Sequence, residues 1–250
     1  MSHDIHAVMI TIDRSPSPNF LSETMENLRR SDLATSYRLE RLTVVDSGTS
    51  IEWAIPAVIP SQRVRMVGAP TPRCANLNVA TALRMGQTGM PWILFLEDDI
   101  DVCANFFDSV GAWLDDHARE DRRVYSFGAN YGDVKEIARA GGTSWNYPIR
   151  MFYGTQAFAI RSSDAVDLAD HLEANPEHCG DGTGYDLLMH GWSKARWPDV
   201  KHYLASVPSF VQHIGMSSVI RPRKIIHTFP SWPGRGWSYR QADRQEEKVV

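Results

Sequence analysis

The sequence predicts an α/β domain: a mainly parallel sheet flanked by helices, with a smaller region added on one side. Three observations carry that expectation. Short apolar runs alternate with amphipathic segments through the first half of the chain, the pattern of βα units feeding a parallel sheet. The run Trp92-Ile93-Leu94-Phe95-Leu96 ends abruptly in Glu97-Asp98-Asp99, so acids gather where a buried strand emerges. A chain of 250 residues with 43% hydrophobic and 22% charged residues is long enough to bury one large core.

Residues 7–12 read as the first strand. Pro16 and Pro18 hold the next loop open, and Asn19 or Ser22 is placed to cap a helix reaching Arg30. Residues 42–45 form a strand ending at Asp46-Ser47-Gly48, and residues 64–67 another ending near Gly68. A helix over 74–85 leads through Gly86 and Gly89 into the Trp92 strand, followed by a helix over 106–117 and a strand over 124–127. The pattern then loosens. Gly-rich and aromatic loops surround 140–153, residues 156–160 read as a strand, and Ser162 caps a helix over 164–173. Gly180-Asp181-Gly182-Thr183-Gly184 is a turn opening a short helix over 185–190.

Composition narrows the function classes. No apolar run reaches transmembrane length, and Met1-Ser2-His3-Asp4 begins no secretory signal, so a cytoplasmic protein without a membrane span is expected. Cys74, Cys103 and Cys179 form neither a pairwise framework nor a closely spaced zinc set, and reduced packing residues are expected. The formal charge of −4 hides an asymmetry: residues 201–250 hold eight Lys or Arg against three Asp or Glu, the first 200 hold 18 against 27. Positive charge around Arg221, Arg223, Lys224, Arg235 and Arg240 suits a diphosphate or a polyanion. Neither a Walker loop nor a Gly-x-Gly-x-x-Gly turn is present, which counts against an NTPase or a dehydrogenase.

In open α/β sheets ligands collect beyond the carboxyl ends of strands. This chain places Thr11 with Asp13-Arg14, Asp46, and Glu97-Asp98-Asp99 at three such ends, which should converge. Arg14 suits a phosphate or a base, Asp46 a base N–H, and the acidic triplet a ribose and a divalent cation. Three carboxylates at the mouth of an apolar strand call for a compensating cation, and hard oxygen ligands suit Mn²⁺ or Mg²⁺.

Leu96-Glu97-Asp98-Asp99-Ile100 with Asn105-Phe106-Phe107, and far downstream Pro208-Ser209-Phe210-Val211-Gln212-His213-Ile214-Gly215 with Ser217-Ser218, resemble two segments of the N-acetylglucosaminyltransferase IV family, among the metal-dependent glycosyltransferases of GT-A fold. Arg73 with Asn76-Leu77, and Tyr185-Asp186-Leu187-Leu188 where the family has Asp-Trp-Leu-Leu, are weaker similarities between them. The resemblance runs thinly from the first strand to Ser218. It implies a GT-A (Rossmann-like) sheet, a nucleoside diphosphate sugar as donor, with UDP-sugar the default, and donor contacts from Arg73 and Asn76. The family's membrane anchor is not seen, so its N-glycan acceptor is not carried over.

One catalytic domain is therefore expected over residues 1–220, its nucleotide-sugar and metal half at 1–127 and its acceptor half at 128–220. The basic, Trp- and Pro-rich segment 221–250, with Trp232 and Trp237, is a lid candidate that brings Arg221 or Lys224 to the diphosphate. Asp99 is the carboxylate expected on Mn²⁺ or Mg²⁺, Asp98 is left for ribose or a metal-bound water, and Glu97 supports them by holding a basic neighbour. His213 closes the coordination from the C-terminal side, and its imidazole favours Mn²⁺. An acceptor hydroxyl attacking opposite the leaving diphosphate needs a base and inverts configuration. Asp186 is the candidate, with Asp181 in reserve. Gly154, in Gly154-Thr155-Gln156-Ala157, allows a ligand close to the backbone, and Trp145, Tyr147 and Tyr153 offer flat faces for a sugar or base. Two acceptors stay open: a saccharide, or a hydroxymethylated base in modified DNA. A nucleotidyltransferase and a non-catalytic sugar-nucleotide-binding module are the rivals.

Overall fold

The structure, a computed structural model, describes residues 4–12, 20–47, 59–68, 74–129, 131–179, 183–215 and 229–239. Strands β1 (Ile5–Ile12), β2 (Leu39–Ser47), β3 (Val64–Gly68) and β4 (Trp92–Glu97) pair in parallel. β5 (Ile100–Val102) leaves this sheet. β6 (Val124–Ser126), β7 (Ser144–Pro148), β8 (Ala157–Arg161) and β9 (His202–Ser206) extend it, giving the order β3-β2-β1-β4-β8-β6-β9-β7. β8 is antiparallel to β4 and β6, and β7 to β9, while β6 and β9 are parallel. β10 (Val211–His213) pairs antiparallel with β5 as a separate ribbon. The mainly parallel α/β sheet is as the sequence predicts.

Helices α1 (Leu21–Ser31) and α3 (Phe106–His117) cover one face. Helices α2 (Ala75–Met85), α5 (Ser162–Glu173) and α6 (Tyr185–Arg196) cover the other, with α4 (Gly132–Arg139) beside them. β1 shows why its sequence reads as one apolar run: Ile5, Ala7 and Met9 pack toward α1 and α3, Val8 and Ile10 toward α2. A strand buried on both faces has no side to leave polar. Each fully buried Leu, Ile or Phe here is worth roughly 1.5–3 kcal/mol.

Several expectations are corrected. α1 starts at Leu21 with Phe20 before it, so Ser22 lies inside the helix, and Asn19 lies outside the described residues. Ser162 is the first helical residue of α5, not its cap. The aromatic stretch expected as loop contains β7, whose Trp145 and Tyr147 lie at register positions opposite Ala205 and Tyr203 of β9. α4, β5, β9 and β10 had no counterpart in the sequence reading. Cys74 is disulfide-bonded rather than reduced, whereas Cys103 is a free thiol buried in the core. Among the described residues no helix is long and apolar enough to cross a membrane.

Candidate active site

The parallel strands end together. Thr11 stands beside Asp46 in the β1–β2 register and Ile10 beside Glu97 in the β1–β4 register, so the acids of β2 and β4 flank the end of β1. The turn after β4 is fixed from three sides. Thr24 of α1 places its hydroxyl 2.7 Å from the Asp98 carbonyl and accepts the Ile100 amide at 3.1 Å. Thr11 donates to Asp98 Oδ2 at 2.6 Å. The Ile214 amide donates to the Asp99 carbonyl at 2.9 Å. That last bond, with His213 opposite Ile100 in the β5–β10 ribbon, brings a residue from the end of the chain to the acidic turn.

Asp99 Oδ2 and His213 Nε2 lie 3.1 Å apart, with Asp99 3% exposed. Glu97, Asp99 and His213 each bring a potential ligand atom within 4.8 Å of the others. Glu97 thus joins the cluster, beyond the supporting role expected of it. Its Oε1 accepts from the Thr155 hydroxyl at 3.1 Å and from the Tyr185 hydroxyl. Burial, and next the charge of Glu97, raise the Tyr185 phenol well above its ordinary range, so it stays a neutral donor. Gly215 completes the arrangement: a Cβ there would meet Asp99 Oδ2 at 2.4 Å and His213 Nε2 at 2.9 Å. Two carboxylates, one imidazole and a space kept clear of side chain fit a divalent ion, and the mixed oxygen and nitrogen set suits Mn²⁺.

Asp186 lies in the first turn of α6, half-buried, with Oδ1 accepting the Leu187 amide at 3.0 Å. The helix reaches this position through Asn76 of α2, whose buried amide donates to the Thr183 carbonyl at 3.1 Å. Gly184 makes room, because a Cβ there would stand 2.4 Å from Asp186 Oδ1. Burial raises the Tyr147 phenol, and the charge of Asp186 adds to that. The Tyr153 amide donates to the Tyr147 hydroxyl at 3.1 Å, which sets Tyr153, 47% exposed, in the same neighbourhood.

The structure therefore gathers Thr11, Asp46, Glu97, Asp98, Asp99 and His213 at one end of the sheet. Arg14, Arg73 and Asp181 lie outside the described residues, as do Arg221, Arg223, Lys224 and Arg240. Asp98 is not left open as expected, being 2% exposed and held by Thr11. What approaches Gly154 is the chain itself: a Cβ would meet the Gly128 carbonyl at 2.5 Å and Ser126 Oγ at 2.6 Å. Tyr147 is fully buried and Trp145 packs against it, which leaves Tyr153 as the exposed ring of the three. Asn76 is also buried, with its amide turned to Thr183. Trp232 and Trp237 pack on the core, and Arg235 Nε donates to Asp101 Oδ2 at 2.6 Å, so this part of the C-terminal segment is docked. Sequence reasoning missed Thr24 altogether; Thr155 and Tyr185 fell within the segments it singled out, but their hydroxyl bonds to Glu97 were not foreseen.

No protein-family model matches the sequence, and none of the curated proteins matches it. Among solved structures, the chain is similar to the mannosyltransferase PcManGT from Pyrobaculum calidifontis, in complex with GDP-Man and Mn²⁺, at 16% identity and a TM-score of 0.50, covering 84% of this chain and 57% of that one. It is also similar to GalNAc-T7 with UDP, GalNAc and Mn²⁺, at 12% identity and a TM-score of 0.56, covering 84% of this chain and 43% of that one. The chain thus spans about half the length of these proteins. The fold is that of the GT-A glycosyltransferases, and nothing in these likenesses singles out the N-acetylglucosaminyltransferase IV family.

Proposed function

We propose that this protein is a divalent-metal-dependent glycosyltransferase that moves a sugar from a nucleoside diphosphate sugar to a hydroxyl acceptor with inversion. The observation that carries the reading is the Asp99–His213 pair, joined by Glu97 and kept clear by Gly215, at the carboxyl end of a GT-A sheet. Asp99, His213 and Glu97 would hold the ion. When bound, it supplies positive charge to a departing diphosphate. Solved proteins of the same fold carry GDP-Man or UDP with Mn²⁺, which supports a nucleotide sugar as donor. UDP in particular rests on the sequence resemblance.

The residues of the chain divide the remaining work. Asp46 offers its carboxylate to a base N–H at the end of β2, and Thr11 holds Asp98 in place under the acidic turn. Asp186 accepts the proton of the acceptor hydroxyl as its oxygen bonds to the anomeric carbon. The bond from that carbon to the diphosphate oxygen breaks, and its electron pair leaves with the diphosphate. Tyr153 offers an exposed ring to a sugar near Asp186. A saccharide acceptor is preferred to a DNA base because the described part of the basic C-terminal segment spends Arg235 on Asp101 and Trp237 on the core.

The test is release of nucleoside diphosphate from a panel of UDP, GDP and dTDP sugars, with Mn²⁺ and with chelator. Release with Mn²⁺ that stops in chelator and in Asp99→Ala is expected. Release that continues unchanged in chelator removes the metal reading.

A further inference from the structure

Beyond Asp186, helix α6 leads away from the acidic turn toward a second feature. A cavity of about 430 Å³ opens where the end of β7, the start of β9 and the middle of α6 meet, lined by Arg150, His190, Lys194, Lys201 and His202 over Pro148 and Ile149. No carboxylate is among its lining residues. Among the described residues, the side chains of Arg150, His190, Lys194 and His202 have no hydrogen-bond or ion-pair partner. The unpaired charges of Arg150 and Lys194 at one concavity raise the local positive potential and repel one another until an anion enters, while the two imidazoles add ring nitrogens able to hydrogen-bond it.

The walls are fixed. Tyr203 of β9 shares its hydroxyl with Ser193 and donates to the Met189 carbonyl at 3.1 Å, tying β9 to α6. The Ile149 amide donates to the Lys201 carbonyl at 3.2 Å, tying the end of β7 to the start of β9. Phe152 closes the interior against Tyr147 and Tyr203. The cationic side chains therefore stand on rigid elements.

The cavity is also in line with the candidate base. Asp186, His190 and Lys194 follow one another at intervals of four residues, so they share a face of α6. His190 stands about 6 Å and Lys194 about 12 Å along the axis from Asp186. A molecule with a hydroxyl at Asp186 and an anionic group one sugar or so away would place that group among these cations.

We infer that this cavity binds the phosphate of the acceptor, and that the acceptor is a phosphate- or pyrophosphate-bearing saccharide. The inference rests on the transferase reading for the role of the bound molecule, though not for the anion site itself. The small size of the cavity favours a small phosphorylated molecule over nucleic acid, since a duplex needs a row of phosphate contacts along an extended surface.

The test is equilibrium binding of inorganic pyrophosphate and of glucose 1-phosphate, with glucose as control, in chelator so that the acidic turn takes no metal-bridged anion. Both anions should bind where glucose does not, and Lys194→Glu or Arg150→Glu should weaken them about tenfold or more. Both side chains are exposed, so the variants should fold, and Lys194→Gln and Arg150→Gln should show a smaller loss in the same direction. Affinity unchanged in all four variants overturns the inference. So does a short duplex DNA that binds more tightly than pyrophosphate and is lost in the same variants, which would make the cavity part of a nucleic-acid surface. Metal-dependent donor hydrolysis by the wild-type protein is measured alongside. Its absence removes the transferase reading without touching the binding result, and its presence with variant-insensitive anion binding removes the inference alone.

Discussion

Asp99 Oδ2 and His213 Nε2 lie 3.1 Å apart although the two residues are 114 positions apart in sequence. The pairing is held by the backbone, since the residue after His213 bonds the Asp99 carbonyl and His213 itself sits opposite Ile100. Gly215 leaves the adjoining volume empty of side chain. In Gly215→Ala the new methyl would stand 2.4 Å from Asp99 Oδ2 and must displace the carboxylate or the imidazole. We expect the variant to stay folded by circular dichroism while Mn²⁺ affinity in a direct titration falls at least about tenfold. Unaltered Mn²⁺ affinity would place the ion elsewhere.

Asp186 is separable from that pair. Asp186→Asn keeps the shape and the bond to the Leu187 amide but removes the basic carboxylate. The expected result is a fall in kcat of about 10²- to 10⁴-fold with donor KM nearly unchanged. Gly184→Ala should move in the same direction, because its Cβ would meet Asp186 Oδ1 at 2.4 Å. Wild-type turnover in Asp186→Asn would shift the assignment to Asp181.

How far the sequence spoke can be seen from which elements it showed. The ends of β1, β2 and β4 were legible because strands buried on both faces are unbroken apolar runs that stop at polar residues. α3 matched over all of Phe106–His117 because its apolar spacing is regular. β5 and β10 are three residues each and owe their existence to pairing with one another, which no local pattern encodes. The start of α3 is also a tertiary matter: Ser31 accepts the Phe106 amide at 2.8 Å, and Asp32 accepts those of Phe107 and Asp108 at 3.1 and 3.0 Å. Asp99 and His213 were legible as parts of two motifs. The hydroxyls on Glu97 were not, because Thr155 and Tyr185 come 58 and 88 positions later.

Asp32 makes stability depend on pH. Burial pushes its carboxyl up to about 6, against the lowering effect of the two α3 amides. The unfolded group titrates near 3.8, so between about 3.8 and 6 the unfolded chain loses its proton while the folded one keeps it. The contribution is therefore full below about 3.8 and lost as pH rises through about 6, by at most about 3 kcal/mol. Asn carries no charge but offers one oxygen to two α3 amides that bond different oxygens of Asp32, so the substitution has a fixed cost of one hydrogen bond. Relative to the wild type, the urea midpoint of Asp32→Asn should therefore rise from pH 3.5 to pH 7, whatever that fixed cost. A difference from wild type that is the same at both pH values would mean that ionisation of Asp32 is not the cause.

Tyr185 and Thr155 orient Glu97 in the same way that outer partners orient a metal ligand. Tyr185→Phe removes one donor while keeping the ring, which packs edge-on against Phe95 at 5.8 Å between centroids. Without metal the loss should be close to that of one hydrogen bond to an ionised carboxylate, about 1.5–3 kcal/mol by chemical denaturation. With metal, Mn²⁺ affinity should fall about 10- to 100-fold, because a carboxylate held by Thr155 alone samples orientations away from Asp99 and His213. Thr155→Val should act in the same direction, and the double variant should lose less than the sum of the two, since each hydroxyl orients the same carboxylate. If stability falls in Tyr185→Phe while Mn²⁺ affinity does not, Glu97 serves the fold and the ion is held by Asp99 and His213 without it.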